Sequence, residues 1–350
     1  MTAHPTIPRD IRDLSYQELQ DYLVAKNERT FRATQIFEWI YKKNAKMFDE
    51  ITSCPAGLRQ ELKNDFVFRP VAINRKDVSR DGTVKFLFDL PDHQKIETVM
   101  IPASSRMTVC VSTQVGCKFA CQFCASGLGG FKRNLTCAEI VGQVLAVQSF
   151  QKKQNVTHVV FMGVGEPLDN YDNLMKAIRL LNSSYACALG ARRMTISTCG
   201  LIPQIKRLSK ENIQVELSIS LHASNDEVRN RLMPINRRYP LGELMKACRL
   251  FTQETKRQIT FEYLLIRDLT CTKQAVAELC RLLKGIIAKL NLIVCNEVSV
   301  FALEPPRKLE ILVFQQELRK MGIHATLRQP RGRDIHAACG QLKYFAEKEN

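Results

Sequence analysis

The sequence predicts an α/β protein built on a parallel sheet, barrel-like or doubly wound, and two observations carry that reading. From about Met107 onward, short apolar runs alternate with longer helical stretches, and the cysteine, glycine and small polar motifs fall just after the apolar runs end. Repeated strand-helix units join into parallel sheets through right-handed crossovers, and both sheet types place their sites beyond the strand C-termini. Strands are expected at 107–112, 156–162, 194–198, 215–221, 259–266, 290–300 and 323–328. Helices such as 137–150, 241–255, 273–289 and 307–321 separate them.

The preceding segments read differently. Residues 1–68 are helical in pattern: Ser15 and Glu18 form a capping box ahead of Leu19, Tyr22 and Leu23. Residues 31–43 form an amphipathic helix with Ile36, Phe37, Ile40 and Tyr41 on its apolar face, and Pro55 opens a third helix. Two strands, 83–90 and 95–101, then form a hairpin around the polar turn 91–94. The expected organisation is a helical module over 1–68, a hairpin connection over 69–105 and a main domain over 106–350.

A chain of 350 residues buries a full core, and 45% hydrophobic with 25% charged residues is ordinary for a globular protein. Its charge is not ordinary: 51 Lys and Arg against 35 Asp and Glu give +16, which favours a polyanionic partner such as nucleic acid over a merely solvated surface. Thirteen cysteines lack the spacing of a disulfide scaffold, and the start MTAHPTIPRDIRDL lacks the apolar core of a secretory signal. With no apolar run of about 18 residues, the expectation is a cytoplasmic protein in a reducing compartment.

The run VGCKFACQFCASG places Cys117, Cys121 and Cys124 in Cys-x3-Cys-x2-Cys spacing. Three thiolates so spaced suit three corners of a 4Fe-4S cubane and leave one iron open to S-adenosylmethionine, whereas fully ligated clusters use four cysteines. A structural zinc site wants a second Cys or His pair, and none is near: Cys110 lies seven residues upstream and Cys137 thirteen downstream of the trio.

Other strand ends carry weaker signals. Gly163-Val164-Gly165-Glu166-Pro167 combines a glycine turn with a carboxylate suited to an ammonium group, although such turns are often only structural. Ser197-Thr198-Cys199-Gly200 and Ser218-Ile219-Ser220-Leu221-His222 are either helix caps or a ligand rim. Asn296 suits a ribose or base as well as an ordinary loop. Cys339, between small residues near the C-terminus, has an approachable sulfur; Cys110 is equally consistent with a reactive or a core thiol.

Together these segments resemble the radical SAM rRNA adenine methyltransferases of the RlmN/Cfr family. The resemblance rests on FRATQIFEWIY, GTVKFLFDLPDHQKIETVMIP, TVCVSTQVGCKFACQFCASGLGGFKRNLT, FMGVGEP, SLHASNDEVRNRLMPIN and DIHAACGQL. It implies a partial (β/α)6 radical SAM barrel with an N-terminal RNA-binding helical accessory domain. It implies that Cys117, Cys121 and Cys124 hold the cluster, and that Gly165, Glu166, Ser197, Ser220, Leu221, His222 and Asn296 surround S-adenosylmethionine.

By the same resemblance Cys339 is methylated by one S-adenosylmethionine, loses hydrogen to a radical derived from a second, and is joined to the adenine. Cys110 then frees the product through a transient disulfide with Cys339, and Glu97 accepts the ring proton. From the strand pattern alone, Glu97 beside Lys95 and Thr98 would simply face water. The implied substrates are 23S rRNA and tRNA, methylated at adenine C2, with a flavodoxin-type electron donor and a monomeric enzyme. Rival readings are C8 methylation giving antibiotic resistance and a non-catalytic, metal-binding RNA-interaction protein. Asp268-Leu269-Thr270-Cys271 and His336 depart from the family pattern. Lys118, Lys132, Arg133, Arg192, Arg193, Arg237, Arg238, Arg328, Arg331 and Arg333 lie in or near site loops as candidate phosphate contacts.

Overall fold

The computed structural model describes residues 8–151, 154–296 and 302–342. Its N-terminal part begins with β1 (Arg9–Asp10) and α1 (Tyr16–Ala25). The expected capping box starts α1: Ser15 Oγ accepts from Glu18 N at 3.1 Å and a Glu18 carboxylate oxygen accepts from Ser15 N at 2.6 Å. The amphipathic run over 31–43 folds as α2 (Phe31–Phe37), continued by a π-helical turn over Glu38–Lys42, and buries Ile36, Phe37, Ile40 and Tyr41. Pro55 caps α3 (Ala56–Asp65), and β2 (Phe66–Val67) returns to pair in parallel with β1.

Three antiparallel strands follow: β3 (Ala72–Val78), β4 (Val84–Asp89) and β5 (Lys95–Ala103). The expected hairpin is β4 with β5, in register from Val84↔Met100 to Asp89↔Lys95. Strand β3 was not expected, because AINRKDV has no apolar face; it lies exposed at the sheet edge, where charged residues are favoured. The hairpin expected as a connection is continuous with the main sheet, since β5 pairs with β6 (Arg106–Cys110).

Beyond β6, the short strands β7 (Gln114–Gly116) and β8 (Phe131–Asn134) pair across the base of the cysteine loop. Then come α4 (Cys137–Phe150), β9 (His158–Phe161), α5 (Tyr171–Asn182), β10 (Met194–Thr198) and α6 (Ile202–Leu208). The chain continues through β11 (Glu216–Ser220), α7 (Asp226–Leu232), α8 (Leu241–Thr255), β12 (Ile259–Leu265) and α9 (Lys273–Leu283). It ends with β13 (Ala288–Val294), α10 (Lys308–Lys320) and β14 (Ala325–Leu327). The helix expected over 273–289 stops at Leu283, because Gly285 turns the chain with φ 77° and residues from Ala288 join the sheet. Residues 297–300 of the strand expected over 290–300 lie outside the described residues.

The ten-stranded sheet runs β14-β13-β12-β11-β10-β9-β6-β5-β4-β3, parallel from β6 to β14. Because the parallel strands follow chain order without reversal, the sheet has no switch point and is not doubly wound; right-handed crossovers then put every helix on one face. Six β/α units, from β6 through α10, therefore curl into an open barrel, with β14 as a short extension.

Strand alternation separates two environments. Outward residues such as Phe161, Ile196, Leu217, Phe261, Tyr263 and Leu292 are buried in the main core. The inward positions of closed barrels are usually packed with branched apolar side chains, but here Thr195, Ser197, Ser218, Glu262 and Asn291 line cavities. The antiparallel strands behave likewise. Phe86, Phe88, Met100 and Val109 enter the main core, while Val99 and Cys110 form a second small cluster with Val164 and Leu342. The cluster that holds Cys110 is thus on the barrel's inner side, under the C-terminal segment.

Candidate active site

The loop after β7 carries Cys117, Cys121 and Cys124, whose sulfurs line one cavity of about 170 Å³ at the C-terminal ends of the strands. Gly165, Glu166, Ser197, Ser220, His222, Asn296 and Cys339 line the same cavity. Leu221 is wholly buried beside it, its N–H donating to the Glu262 carbonyl at 3.0 Å. Of the expected site residues, only Leu221, Glu97 and Cys110 do not line this cavity.

The cysteine trio fits a cubane. Burial pushes the Cys117 thiol up to about 12 and raises Cys121 and Cys124, so thiolates there require a compensating positive charge such as iron. Cys121 is influenced electrostatically by both Cys117 and Cys124, and three thiols on one loop at one cavity are the donor type that an iron-sulfur cluster takes.

The rim is built from backbone turns. Gly165 has φ 102°, and a Cβ there would sit 2.5 Å from Gln114 Cβ, so only glycine lets this turn pass under the loop from β7. Glu166, buried, accepts from Cys199 N at 2.8 Å and Leu168 N at 3.0 Å; burial nonetheless raises its carboxyl above the ordinary range. It therefore ties the ends of β9 and β10 together whatever ligand it also meets. His222 adopts φ 55° and packs edge-on against Phe123 at 4.7 Å. Burial, followed by the charge of Arg229, drives it down to about 3, so it is a neutral imidazole at physiological pH.

Sequence reasoning missed Arg229. It is wholly buried in α7 with no salt bridge among the described residues, and its guanidinium donates to the carbonyls of Cys199, Ser220 and Leu221 and to Asn236 Oδ1 at 2.8–3.1 Å. One side chain thus holds the carbonyl ends of β10 and β11 in place. A charged residue facing the apolar side of a short helix was the available signal.

The C-terminal segment reaches the site through two clasps. Gly340 has φ 82° and lies so close to Phe123 O that a Cβ would approach it to 2.8 Å; its carbonyl accepts from Ala125 N at 2.7 Å. Ser126 Oγ donates to the Leu342 carbonyl at 2.9 Å. On the other side the β3–β4 turn grips the segment, with Ser79 Oγ donating to Asp334 at 2.6 Å and Gly332 N to Asp81 at 3.1 Å. Asn296 Nδ2 donates to the Cys339 carbonyl at 3.1 Å, and Arg333 Nε to Asn296 Oδ1 at 3.0 Å.

Cys339 is exposed and Cys110 buried. They are close enough to influence each other electrostatically, and burial pushes Cys110 up to about 12. Both are free thiols here, so the structure holds no disulfide between them. Glu97 is 1% exposed, with Lys85 Nζ 3.1 Å from its carboxylate, which overturns the water-facing reading of that strand. Leu87, Lys85 and Val99 share its face, which is also that of Cys110. Lys85 pairs with Val99 and reaches Glu97 diagonally across the two strands, a contact the sequence could not supply.

Among the departures from the family pattern, Asp268 takes φ 56° and Thr270 Oγ1 accepts from Ile266 N at 2.8 Å, so the turn closes with its own hydrogen bonds. Several candidate phosphate contacts are engaged internally: Lys118 pairs with Asp169 at 2.7 Å, and Arg133 with Asp92 and Glu139. Arg192, Arg328 and Arg331 line a second cavity of about 640 Å³ at the N-terminal ends of the strands.

An open barrel of six β/α units with a cysteine trio beyond its first strand and a glycine-glutamate rim after its second defines a radical SAM enzyme. Residues 111–281 match the model of the radical SAM superfamily, and residues 9–67 that of the ribosomal RNA large subunit methyltransferase N-terminal domain. A probable dual-specificity RNA methyltransferase RlmN of Staphylococcus aureus strain JH9 is 44% identical over 337 residues, 96% of this chain and 93% of the relative. A crystal structure of a radical SAM methyltransferase from Sphaerobacter thermophilus superposes with TM-score 0.91 at 44% identity, covering 96% of this chain and 99% of that one. The chain belongs to the RlmN family of radical SAM methyltransferases.

Two measurements check this geometry. Arg229→Met removes four hydrogen bonds to buried acceptors, of which the Leu221 carbonyl keeps a second donor, Ala223 N at 2.8 Å, so urea unfolding should show a loss of about 3 kcal/mol or more. Iodoacetamide at about pH 8 should label Cys339 and spare Cys110 by peptide mapping. Because a thiol raised to about 12 is neutral below that pH, Cys110 labelling should climb about tenfold per pH unit between about 8 and 10.

Proposed function

We propose that the protein methylates C2 of adenine 2503 in 23S rRNA and of adenine 37 in tRNAs, carrying the methyl group on Cys339. The observation that carries this reading is the position of Cys339, at the wall of the cavity that holds the cysteine trio and beside buried Cys110. A dual-specificity RNA methyltransferase is what the S. aureus relative is named, which supports RNA as the substrate. The +16 charge supports it independently.

An adenine C2–H carbon is electron-poor and its proton not usefully acidic, so ordinary displacement and acid-base chemistry do not suffice. Cys117, Cys121 and Cys124 would hold a 4Fe-4S cluster, and Gly165, Glu166, Ser197, Ser220, Leu221, His222 and Asn296 would surround S-adenosylmethionine. Bound together, these groups supply a 5′-deoxyadenosyl radical when an electron arrives from a flavodoxin-type donor.

The chain's own residues then divide the work. Cys339 takes a methyl group by displacement, and its approachable sulfur makes that possible. One hydrogen atom of its S-methyl group would pass to the 5′-deoxyadenosyl radical, the remaining carbon would join adenine C2, and the electron released as the ring regains aromaticity would return to the cluster. Glu97, held beside Lys85, receives the ring proton, and Cys110 attacks the Cys339 sulfur to free the methylated base as a disulfide forms. Burial keeps Cys110 a protected, neutral thiol until then. Residues 1–68 would serve as the RNA-binding accessory domain, 69–105 would shelter Cys110 and the C-terminal segment, and 106–350 would carry the chemistry. A cytoplasmic monomer is the expected form; among the described residues no helix is long and apolar enough to cross a membrane.

The test is nucleoside mass spectrometry of hypomodified 23S rRNA and tRNA incubated anaerobically with reconstituted protein, reductant and S-adenosylmethionine. 2-Methyladenosine is expected in both, whereas 8-methyladenosine, or no product from an intact cluster, would overturn the reading. Cys110→Ala should leave protein covalently attached to RNA through Cys339, seen as a shifted band resistant to denaturation; sustained turnover without such a band would remove Cys110 from the mechanism.

A further inference from the structure

Glu262 lies midway along β12, on the barrel's inner side, and is 5% exposed. One carboxylate oxygen accepts from Ser218 Oγ at 3.1 Å and Asn291 Nδ2 at 3.2 Å; the other, Oε2, is buried with no hydrogen-bond partner. A buried carboxylate oxygen without a donor is costly, so a donor missing from the free protein is expected there.

Glu262 borders both cavities, the smaller one with the cysteine trio and the basic one at the opposite ends of the strands. Arg328, Cys339 and Met162 lie on the same shared wall. The only side-chain hydrogen bond of Arg328 among the described residues is a long one, 3.9 Å to the Met162 sulfur. Its guanidinium is within electrostatic reach of Cys339, Glu262 and Cys110. An unspent acceptor and an unspent donor therefore flank the sulfur proposed to carry the methyl group.

We propose that Glu262 and Arg328 read the target base: Glu262 Oε2 accepts from the exocyclic amino group of adenine while Arg328 donates to a ring nitrogen. This deepens the function proposed above and rests on it. Adenine offers an amino donor beside a ring-nitrogen acceptor, which matches the pair; guanine would turn its O6 acceptor toward the carboxylate. Arg192, Lys289 and Arg331 on the basic cavity suit the phosphates of the strand delivering that base.

The experiment compares holoenzyme binding, by fluorescence anisotropy, to two RNA hairpins: one with the target adenosine, one with purine riboside, which lacks the amino group. The wild type should bind the adenosine hairpin about tenfold or more tightly. Glu262→Ala should bring the two within about twofold, by weakening only the adenosine hairpin. Glu262→Gln, which conserves volume, should also shrink the ratio and guards against misfolding. A wild-type ratio near one would overturn the proposal, as would a ratio unchanged in both variants while S-adenosylmethionine affinity falls. Binding with the expected ratio but no methylation of the adenosine hairpin would overturn the function proposed above and leave the base-reading pair standing.

Discussion

The buried guanidinium of Arg229 is the contact on which the rest of the site depends. Parallel strands end in carbonyl groups that have no partner within the sheet, and here three of them converge where a ligand is expected. A single cation donating to all three holds β10 and β11 at fixed spacing without filling the cavity. Because it forms no salt bridge among the described residues, its charge is spent largely on backbone dipoles, and it also helps to keep His222 neutral. The helix that carries it is held in turn: Asp226 accepts from Asn236 and from Leu241 N, and Asn225 caps Val228. The run SLHASNDEVRNRLMPIN is thus one hydrogen-bonded unit, whose function is to aim strand ends.

Period-two alternation does the next part of the work. On the parallel strands it sends large apolar residues outward to the helices and small polar ones inward, so the interior is a wet chamber instead of a packed layer. On β4 and β5 it sends Phe86, Phe88 and Met100 to the core, and Lys85, Glu97 and Val99 to the face that shelters Cys110. A hairpin that looks like a connection in sequence is therefore part of the wall that shelters Cys110. The neighbouring β3–β4 turn, at the other end of β4, clasps the C-terminal segment through Asp334 and Gly332.

Cys339 is positioned entirely by contacts between segments distant in sequence. Ala125 and Ser126 hold the segment that follows it, Asn296 holds its carbonyl, and residues 79–81 hold the segment before it. Cys339 is exposed at the wall between two cavities, while Cys110 is buried in the sheet. That difference in burial separates an approachable thiol from a protected one.

The elements were legible from the sequence because their signals are local. The capping box at Ser15, the strand Met194–Thr198 and the helices Cys137–Phe150 and Leu241–Thr255 are dictated by neighbours within a few residues. The cysteine trio and the Gly165–Glu166 turn are equally local, so most of the candidate site could be named before its geometry was known. Strand order, by contrast, distinguished an open barrel from a doubly wound sheet, and it depends on pairings between distant segments. Only the tertiary structure decided that Glu97 faces Lys85 instead of water, that Arg229 unites two strand ends, and that Glu262 keeps a bare oxygen inside the barrel. In each case the same residue types in isolation would be solvated surface, and it is burial against a partner far along the chain that gives them their roles.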